Sequence, residues 1–142
     1  MSGTANTIVV EPANGQQRVI EREGTGIITP GQLVKISGTG TWVTQGATEA
    51  NVGAVAGENI ADAGGIEDTY ADGDRVRGLY PQHGDLYNLI LADSQTITVG
   101  DSLEAVAGGQ VGAVTSGAVI GFAEESITTS GGTSRILVRM AE

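Results

Sequence analysis

The side chains best able to do chemistry in this chain are carboxylates, which fall into three clusters: Glu67-Asp68, Asp72 with Asp74, and Glu124-Glu125. Paired carboxylates can hydrolyse glycosides, and acid-rich loops can bind Ca²⁺. The stretch that contains Asp72 and Asp74 lacks the spacing and the closing glutamate of an EF-hand loop. The clusters are therefore interpreted as solvated acids on turns. An acid-pair hydrolase that uses Asp72, Asp74 or Glu124 is the alternative.

Nucleophilic and metal chemistry is limited by the residue types present. The chain has no cysteine and one histidine, His83, so a Cys–His nucleophile and a zinc cage of Cys or His are excluded. A Ser–His–Asp triad would have to use His83, which lies in a predicted loop, and no G-x-S-x-G motif occurs. Neither Gly108-Gly109 nor Gly131-Gly132 is followed by a lysine or a helix start, as a phosphate cradle requires. We predict no catalytic residue, no metal site and no cofactor, and therefore no enzyme.

The charge balance bears on the partners. The formal net charge is −10, from 17 acidic and 7 basic residues, and Lys35 is the single lysine. Such a surface is repelled by phosphate backbones, so nucleic acid is not an expected partner. The acid excess also suits a high-salt habitat, where a screening length of ~3 Å at about 1 M salt weakens self-repulsion. An ordinary acidic soluble protein is the alternative.

Membrane insertion and secretion are not expected either. No apolar run approaches the ~20 residues that a membrane span requires. The first residues lack the basic start and apolar stretch of a secretory signal. The length of 142 residues fits one domain.

The elements that must position these residues are short strands. Glycine is abundant, with 23 residues, and turn signals recur about every 8 to 12 residues. The pattern predicts about nine or ten strands in an all-β barrel or sandwich. The most apolar stretch, 70–92, is predicted to be a β-hairpin at the centre of the core. Its strands are Arg75–Tyr80 and Leu86–Ala92, joined by a loop over 81–85.

A short turn motif precedes several of the predicted strands. Pro30-Gly31, Asp72-Gly73 and Val99-Gly100 each place a glycine-led turn directly before a predicted strand. Their spacing is uneven and the strands that follow differ, so the sequence does not indicate an internal repeat.

The first 26 residues differ from the rest. A short β-forming run, Thr7–Val10, is followed by a charged, strand-length segment, Gln17–Glu23. In that segment Val19 and Ile20 would face opposite sides, which is weak for a core strand. It is either an edge strand of the chain's own sheet or an arm that pairs with a neighbouring chain.

Aromatic side chains allow a different class of function. Trp42, Tyr70, Tyr80 and Tyr87 could line a sugar-binding platform on a carbohydrate-binding or host-surface-binding β-barrel. This non-enzymatic ligand-binding barrel is the alternative to a structural role.

Five segments together resemble the small capsid decoration, or cement, proteins of tailed double-stranded DNA viruses. They are ITPGQLVKISGTGTW at 28–42, YADGDRVRGLYPQHGDLYNLILA at 70–92, ITVGDSLEAVAGGQVGAV at 97–114, AVIGFAEES at 118–126 and SRILVRMAE at 134–142. The resemblance covers about residues 25–142. It implies a compact all-β domain, a β-barrel or a β-tulip-like domain of the lambda-type head decoration group. It also implies a homotrimer on the outer capsid surface of the virion that staples neighbouring major capsid subunits and has no catalytic residues.

The resemblance further implies an extended N-terminal arm over 1–26 and a decoration domain over 27–142. The expected capsid or inter-subunit contacts lie in the arm: Ile8, Val9, Val10, Arg18, Val19, Ile20 and Arg22. A chain without residues 1 to 24 is expected to fold but to attach weakly to the capsid. The charge of −10 favours an outward position, away from packaged DNA, and the scarcity of lysine points to a virus of a salt-loving host.

Overall fold

Strands are the regular elements of the part of the chain that the computed structural model describes, residues 7–11, 18–47, 53–60 and 64–141. This confirms the all-β fold class. The strands are β1 (Val9–Glu11), β2 (Arg18–Glu23), β3 (Leu33–Ile36), β4 (Trp42–Thr44), β5 (Ala54–Ala56), β6 (Arg75–Tyr80), β7 (Leu86–Leu91), β8 (Thr96–Ile97), β9 (Ser102–Val106), β10 (Gln110–Ala113), β11 (Gly121–Ala123), β12 (Ile127–Thr128) and β13 (Ser134–Met140).

The strands form two small barrels. In the first barrel the order is β2-β6-β5-β3-β4, and a parallel bridge between Gly24 and Trp42 joins the end of β2 to β4. In the second barrel β7, β13, β11, β9 and β10 form a closed ring, in which β7 pairs antiparallel with β13 and parallel with β10. Strand β1 pairs with the first part of β7, and β8 pairs with β12 as a separate two-stranded ribbon.

The predicted central hairpin is wrong, although its two strands are confirmed. Strand β6 pairs with β2 and β5, whereas β7 pairs with β13, β1 and β10. Strand β13 pairs with β7 over its full length, from Leu91 to Leu86, so it occupies an edge of β7 that β6 would have needed. The stretch 70–92 therefore connects the barrels. Its expected central position in the core is confirmed, since Tyr87, Leu89 and Leu91 are fully buried.

Both barrels have the same strand order. Counted along the chain within each barrel, the five strands are β2, β3, β4, β5 and β6 in the first and β7, β9, β10, β11 and β13 in the second. In each barrel the first strand pairs with the fifth and is bridged in parallel to the third, and the second strand lies between the third and the fourth. The register is also the same. Equivalent pairs of the second and third strands are Val34–Thr44 and Leu103–Ala113, Lys35–Val43 and Glu104–Gly112, and Ile36–Trp42 and Ala105–Val111.

Hydrogen bonds outside the ladders repeat as well. The bond from Gly31 N–H to Ala56 O, of 2.8 Å, has its counterpart between Gly100 and Ala123, also of 2.8 Å. The bond from Thr25 N–H to Trp42 O, of 2.9 Å, corresponds to the one from Ala92 to Val111, of 2.8 Å. The structure is thus an internal duplication that the sequence did not indicate.

The glycine-led turns belong to this pattern and number four in the described ranges. In each, a glycine has a positive φ, and the next side chain accepts a hydrogen bond from the backbone N–H three residues before it, which fixes the turn. The four turns are Thr29–Gln32, Ala71–Asp74, Gln82–Asp85 and Thr98–Asp101. They directly precede β3, β6, β7 and β9. The sequence pattern had shown three of them.

The two cores fill the same space in different ways. In the first barrel Trp42 is fully buried and lies over Gly78, where an added Cβ would be 2.4 Å from the indole Cζ2. The equivalent residues of the second barrel are Val111 and Val138, both fully buried. The first barrel thus has a large side chain, Trp42, facing a glycine, whereas the second has two valines of medium size. The packed volume at these positions is therefore similar.

One face of the first barrel packs on the second. Leu33, Val55 and Leu79 belong to the same buried cluster as the residues of the second barrel. The backbone joins them too, since Leu33 N–H donates to Gly109 O at 2.8 Å and Gly109 N–H donates to Gln45 O at 3.0 Å. The buried cluster of the second barrel therefore extends onto this face of the first barrel, whose own interior around Trp42 is a separate cluster.

The charged N-terminal segment is an edge strand of the chain's own sheet, which was one of the two predicted alternatives. Strand β2 pairs with β6 at all six of its positions, and β1 pairs with β7. A chain without residues 1 to 24 would lose the first strand of the first barrel. We therefore expect such a chain to be less stable than the full chain.

Candidate functional site

The predicted acidic clusters are used in turns and surface ion pairs. Asp72 Oδ1 accepts a hydrogen bond from Gly26 N–H at 2.7 Å, and Asp74 Oδ2 accepts one from Ala71 N–H at 2.9 Å. Glu124 pairs with Arg139 at 2.9 Å. Over the described ranges, no three Asp, Glu, His or Cys side chains are placed to share a metal ion. This arrangement gives the acid-pair hydrolase no support.

His83 lies exposed in the turn before β7, as expected of a loop residue. Its Nδ1 is 2.9 Å from Ala141 O. The imidazole therefore holds the end of the second barrel against this turn, which is a structural use.

The burial of the aromatic rings excludes the predicted sugar-binding platform. Trp42, Tyr70 and Tyr87 are fully buried, so no sugar can stack on them. The Tyr70 hydroxyl donates to Gly57 O at 2.8 Å. Burial raises the pKa of both tyrosines above the usual value. Tyr80 alone of the four is half-buried.

A polar groove of about 410 Å³ lies where the barrels meet, and Arg135 is its best-connected side chain. The Arg135 side chain is only 11% exposed. Its Nη1 donates to Pro30 O at 2.6 Å, Nη2 donates to Ile66 O, and Nε lies 3.3 Å from a carboxylate oxygen of Glu67. Because each guanidinium nitrogen contacts the chain itself, Arg135 clamps the second barrel to loops of the first.

Glu104 is a buried carboxylate that the sequence did not single out. It lies on β9, is 5% exposed, and accepts hydrogen bonds from Thr115 Oγ1 at 2.9 Å and from the N–H groups of Ser116 and Gly117. These bonds fix the loop between β10 and β11. The Gly117 and Thr115 donors hold the pKa of Glu104 below its usual value of 4.5.

We expect Glu104→Gln to lower the stability of the protein at neutral pH. The bonds favour the charged form, so their contribution is present above pH 4.5 and is lost as the pH falls through the lower folded-state pKa. Urea unfolding should therefore show a lower midpoint for the variant at pH 7 and converging midpoints well below pH 4.5. Glu23→Gln, at an exposed position of β2, is the control. Equal midpoints for Glu104→Gln and the wild type at pH 7 would contradict this role.

The predicted contact residues differ in accessibility. Ile8 is fully buried in the core, because its segment packs on the second barrel, so its assignment as a contact residue is corrected. The Ile8 N–H also donates to Glu58 Oε2 at 3.2 Å. Val9 packs partly buried against the same core. The other five lie at intermediate or exposed positions: Val10, Arg18, Val19, Ile20 and Arg22.

On β2 the arginines stack on aromatic rings. The Arg18 guanidinium carbon lies 5.4 Å from the Tyr80 ring centre, and that of Arg22 lies 5.6 Å from the Trp42 ring. The two rings are 6.1 Å apart, and Trp42 Nε1–H donates to Ile20 O at 3.3 Å. At such distances the face of an aromatic ring attracts a guanidinium group electrostatically. Neither guanidinium takes part in an ion pair between described residues, so the face of β2 that holds Arg18 and Arg22 is positive, whereas Glu21 and Glu23 lie on its opposite face.

The chain was compared with known proteins. No family model matches it, and no curated protein matches it. It is similar to a solved structure, the N base of head fiber gp8.5 of bacteriophage phi29, with a TM-score of 0.61 and 12% identity over 89% of this chain and 95% of that chain. That neighbour is a head fiber protein, so it gives the resemblance to lambda-type decoration proteins no support. Among the residues that the structure describes, no helix is long and apolar enough to cross a membrane. At this identity the comparison establishes a shared fold.

Proposed function

We propose that this chain is a structural virion protein that binds the outside of a viral capsid and connects neighbouring major capsid subunits. The observation that carries the proposal is the fold shared with the head fiber base over nearly the full length of both chains. A fold alone does not determine function, so the proposal also has to agree with the surface and the charges.

Those features agree with a passive, non-enzymatic role. The acids that could do chemistry are bound in turns and ion pairs, and the tightest polar contacts, those of Arg135 and Glu104, hold loops in place. The charge of −10 opposes contact with packaged DNA and favours the outer surface. Both features describe a rigid module that acts through its surface.

Within this proposal, β2 and the exposed part of the N-terminal segment contact the capsid or a second subunit. Val10, Arg18, Val19, Ile20 and Arg22 supply the accessible side chains. Assembly as a homotrimer and a high-salt host, the latter supported by the acidic composition, belong to the same proposal. Light scattering at low and high salt measures the oligomeric state.

The test is attachment to shells. Purified protein is mixed with empty shells of the major capsid protein encoded alongside it, and the shells are pelleted and heated. We expect saturable binding in a fixed ratio to the shell protein and a higher disruption temperature. Shells of an unrelated virus are the control. Absence of binding, or equal binding to the unrelated shells, would contradict the proposed function.

A further inference from the structure

Within the described ranges one edge of β2 is open, whereas the equivalent edge of β7 in the second barrel is covered by β1. Among described residues, β2 pairs only with β6 before the chain reaches the bridge at Gly24. We propose that this edge is the docking site for an extended segment of the shell protein. The choice of the shell protein as the partner rests on the proposed function. The segment adds as an antiparallel strand and places carboxylates beside Arg18 and Arg22.

The backbone of β2 presents alternate residues to the open edge. Gly24 N–H donates to Asp74 O on the β6 side, whereas Thr25 N–H donates to Trp42 O on the opposite side. Because backbone groups alternate in direction along a strand, those of Val19 and Glu21 point away from β6. Val19 is also 38% exposed. The open edge therefore offers backbone groups that pair with no described strand, and the Glu21 carbonyl accepts only a long hydrogen bond of 3.5 Å from Arg75 Nη2.

The duplication shows how such a strand fits. In the second barrel the equivalent edge of β7 is covered by β1, with Val9 opposite Tyr87 and Asn88 N–H donating to Ile8 O at 2.7 Å. The positions equivalent to Tyr87 and Asn88 are Ile20 and Glu21. The fold thus accepts an antiparallel strand at this place in one barrel and leaves the same place open in the other.

The charges select the kind of segment. Arg18 and Arg22 lie on the same face of β2, about 13 Å apart along the strand, and aromatic rings hold both. Side chains of a neighbouring strand that face the same way lie beside them, and opposite charges stabilise such cross-strand pairs. The occupant is therefore an extended segment with acidic residues at alternate positions.

A second copy of β2 fits this edge poorly. Symmetric antiparallel pairing centred on Ile20 sets Arg18 opposite Arg22, and pairing centred on Glu21 sets the two Glu21 residues opposite each other. Like charges directly across a ladder are destabilising. These are the two symmetric registers that pair most of β2, so a different chain is the better partner for this edge.

The test compares Glu21→Pro with Glu21→Thr in the shell-binding assay. Proline removes the N–H that faces the open edge but no hydrogen bond to β6, whereas threonine removes the same charge and keeps the N–H. We expect Glu21→Pro to weaken binding to the shells by about tenfold or more, with Glu21→Thr close to wild type. Arg18→Gln should weaken binding and reduce its dependence on salt.

Each outcome separates this proposal from the proposed function. If the wild type binds shells and Glu21→Pro binds equally well, the edge is not the docking site, while the proposed function stands. If the wild type does not bind, the proposed function itself fails. Hydrogen exchange of wild-type protein gives a second measurement in case Glu21→Pro unfolds. The amides of Val19 and Glu21 should exchange rapidly in free protein and slowly on shells, and unchanged exchange on shells would overturn the proposal.

Discussion

Replacing Gly78 with valine is expected to destabilise the protein by about 3 kcal/mol, because overpacking forces side chains and backbone to move. Even a Cβ at this position would lie 2.4 Å from Cζ2 of the buried Trp42. Chemical denaturation followed by far-ultraviolet circular dichroism measures the change, because Trp42 is the single tryptophan of the chain and is itself replaced in the variants below. Gly38→Val is the control, since Gly38 has no atom within 4 Å of an added Cβ and should change stability by less than about 0.5 kcal/mol.

The double variant tests the duplication itself. Trp42→Val alone should cost about 3 kcal/mol through the cavity it leaves. Together with Gly78→Val it recreates the Val111 and Val138 pair of the second barrel, so we expect the double variant to be more stable than additivity predicts, by roughly 1–3 kcal/mol. Additive losses would show that the two positions are not equivalent to the pair in the second barrel.

Replacing Arg135 with methionine is expected to cost about 3 kcal/mol, since it leaves the carbonyls of Pro30 and Ile66 without their charged donor. The exposed carboxylate of Glu67, 73% accessible, adds little to this. Thermal and urea unfolding measure the loss.

Arg139→Met is the matched control for Arg135. It lies on the same strand, is 50% exposed, and pairs with Glu124 at the surface, so its loss should cost less than about 1 kcal/mol. Similar losses for both variants would show that Arg135 is an ordinary surface ion pair and not a clamp between the barrels.

The bounds of individual strands were predictable because they depend on short patterns of neighbouring residues. The alternation in Arg75–Tyr80 and the apolar run from Leu86 gave the bounds of β6 and most of β7. Pairing was not predictable, because a strand's partner depends on residues far along the chain. The six positions that β7 shares with β13 are an example, since nothing near Leu86 indicates them.

The duplication was hidden for a related reason. Ile28-Thr29 and Gly31 recur as Ile97-Thr98 and Gly100, but few other residues are shared. At two equivalent core positions the first barrel has Trp42 and Gly78, and the second has Val111 and Val138. Such paired changes in size preserve the packing but remove the sequence similarity between the barrels. The chain from β5 to β6, which contains the acid-rich stretch 58–69, is also longer than the chain from β11 to β13, so the spacing is uneven.

The candidate surface was predictable only in part. Residue types left two alternatives for the charged segment, an edge strand or an arm, and the pairing with β6 selects the edge strand. They could not show that Ile8 is a core residue or that Trp42 and Tyr87 are inaccessible, because burial depends on the tertiary fold. The value of Arg18 and Arg22 as a binding surface stays a prediction.

A cryo-EM reconstruction of purified virions from the virus that encodes this chain tests the central claim most directly. The account predicts density for the paired barrels on the outer face of the shell, in a fixed ratio to the major capsid protein, with β2 turned toward it. A well-resolved shell with no such density outside it, from particles of a virus that produces the chain, would contradict the account.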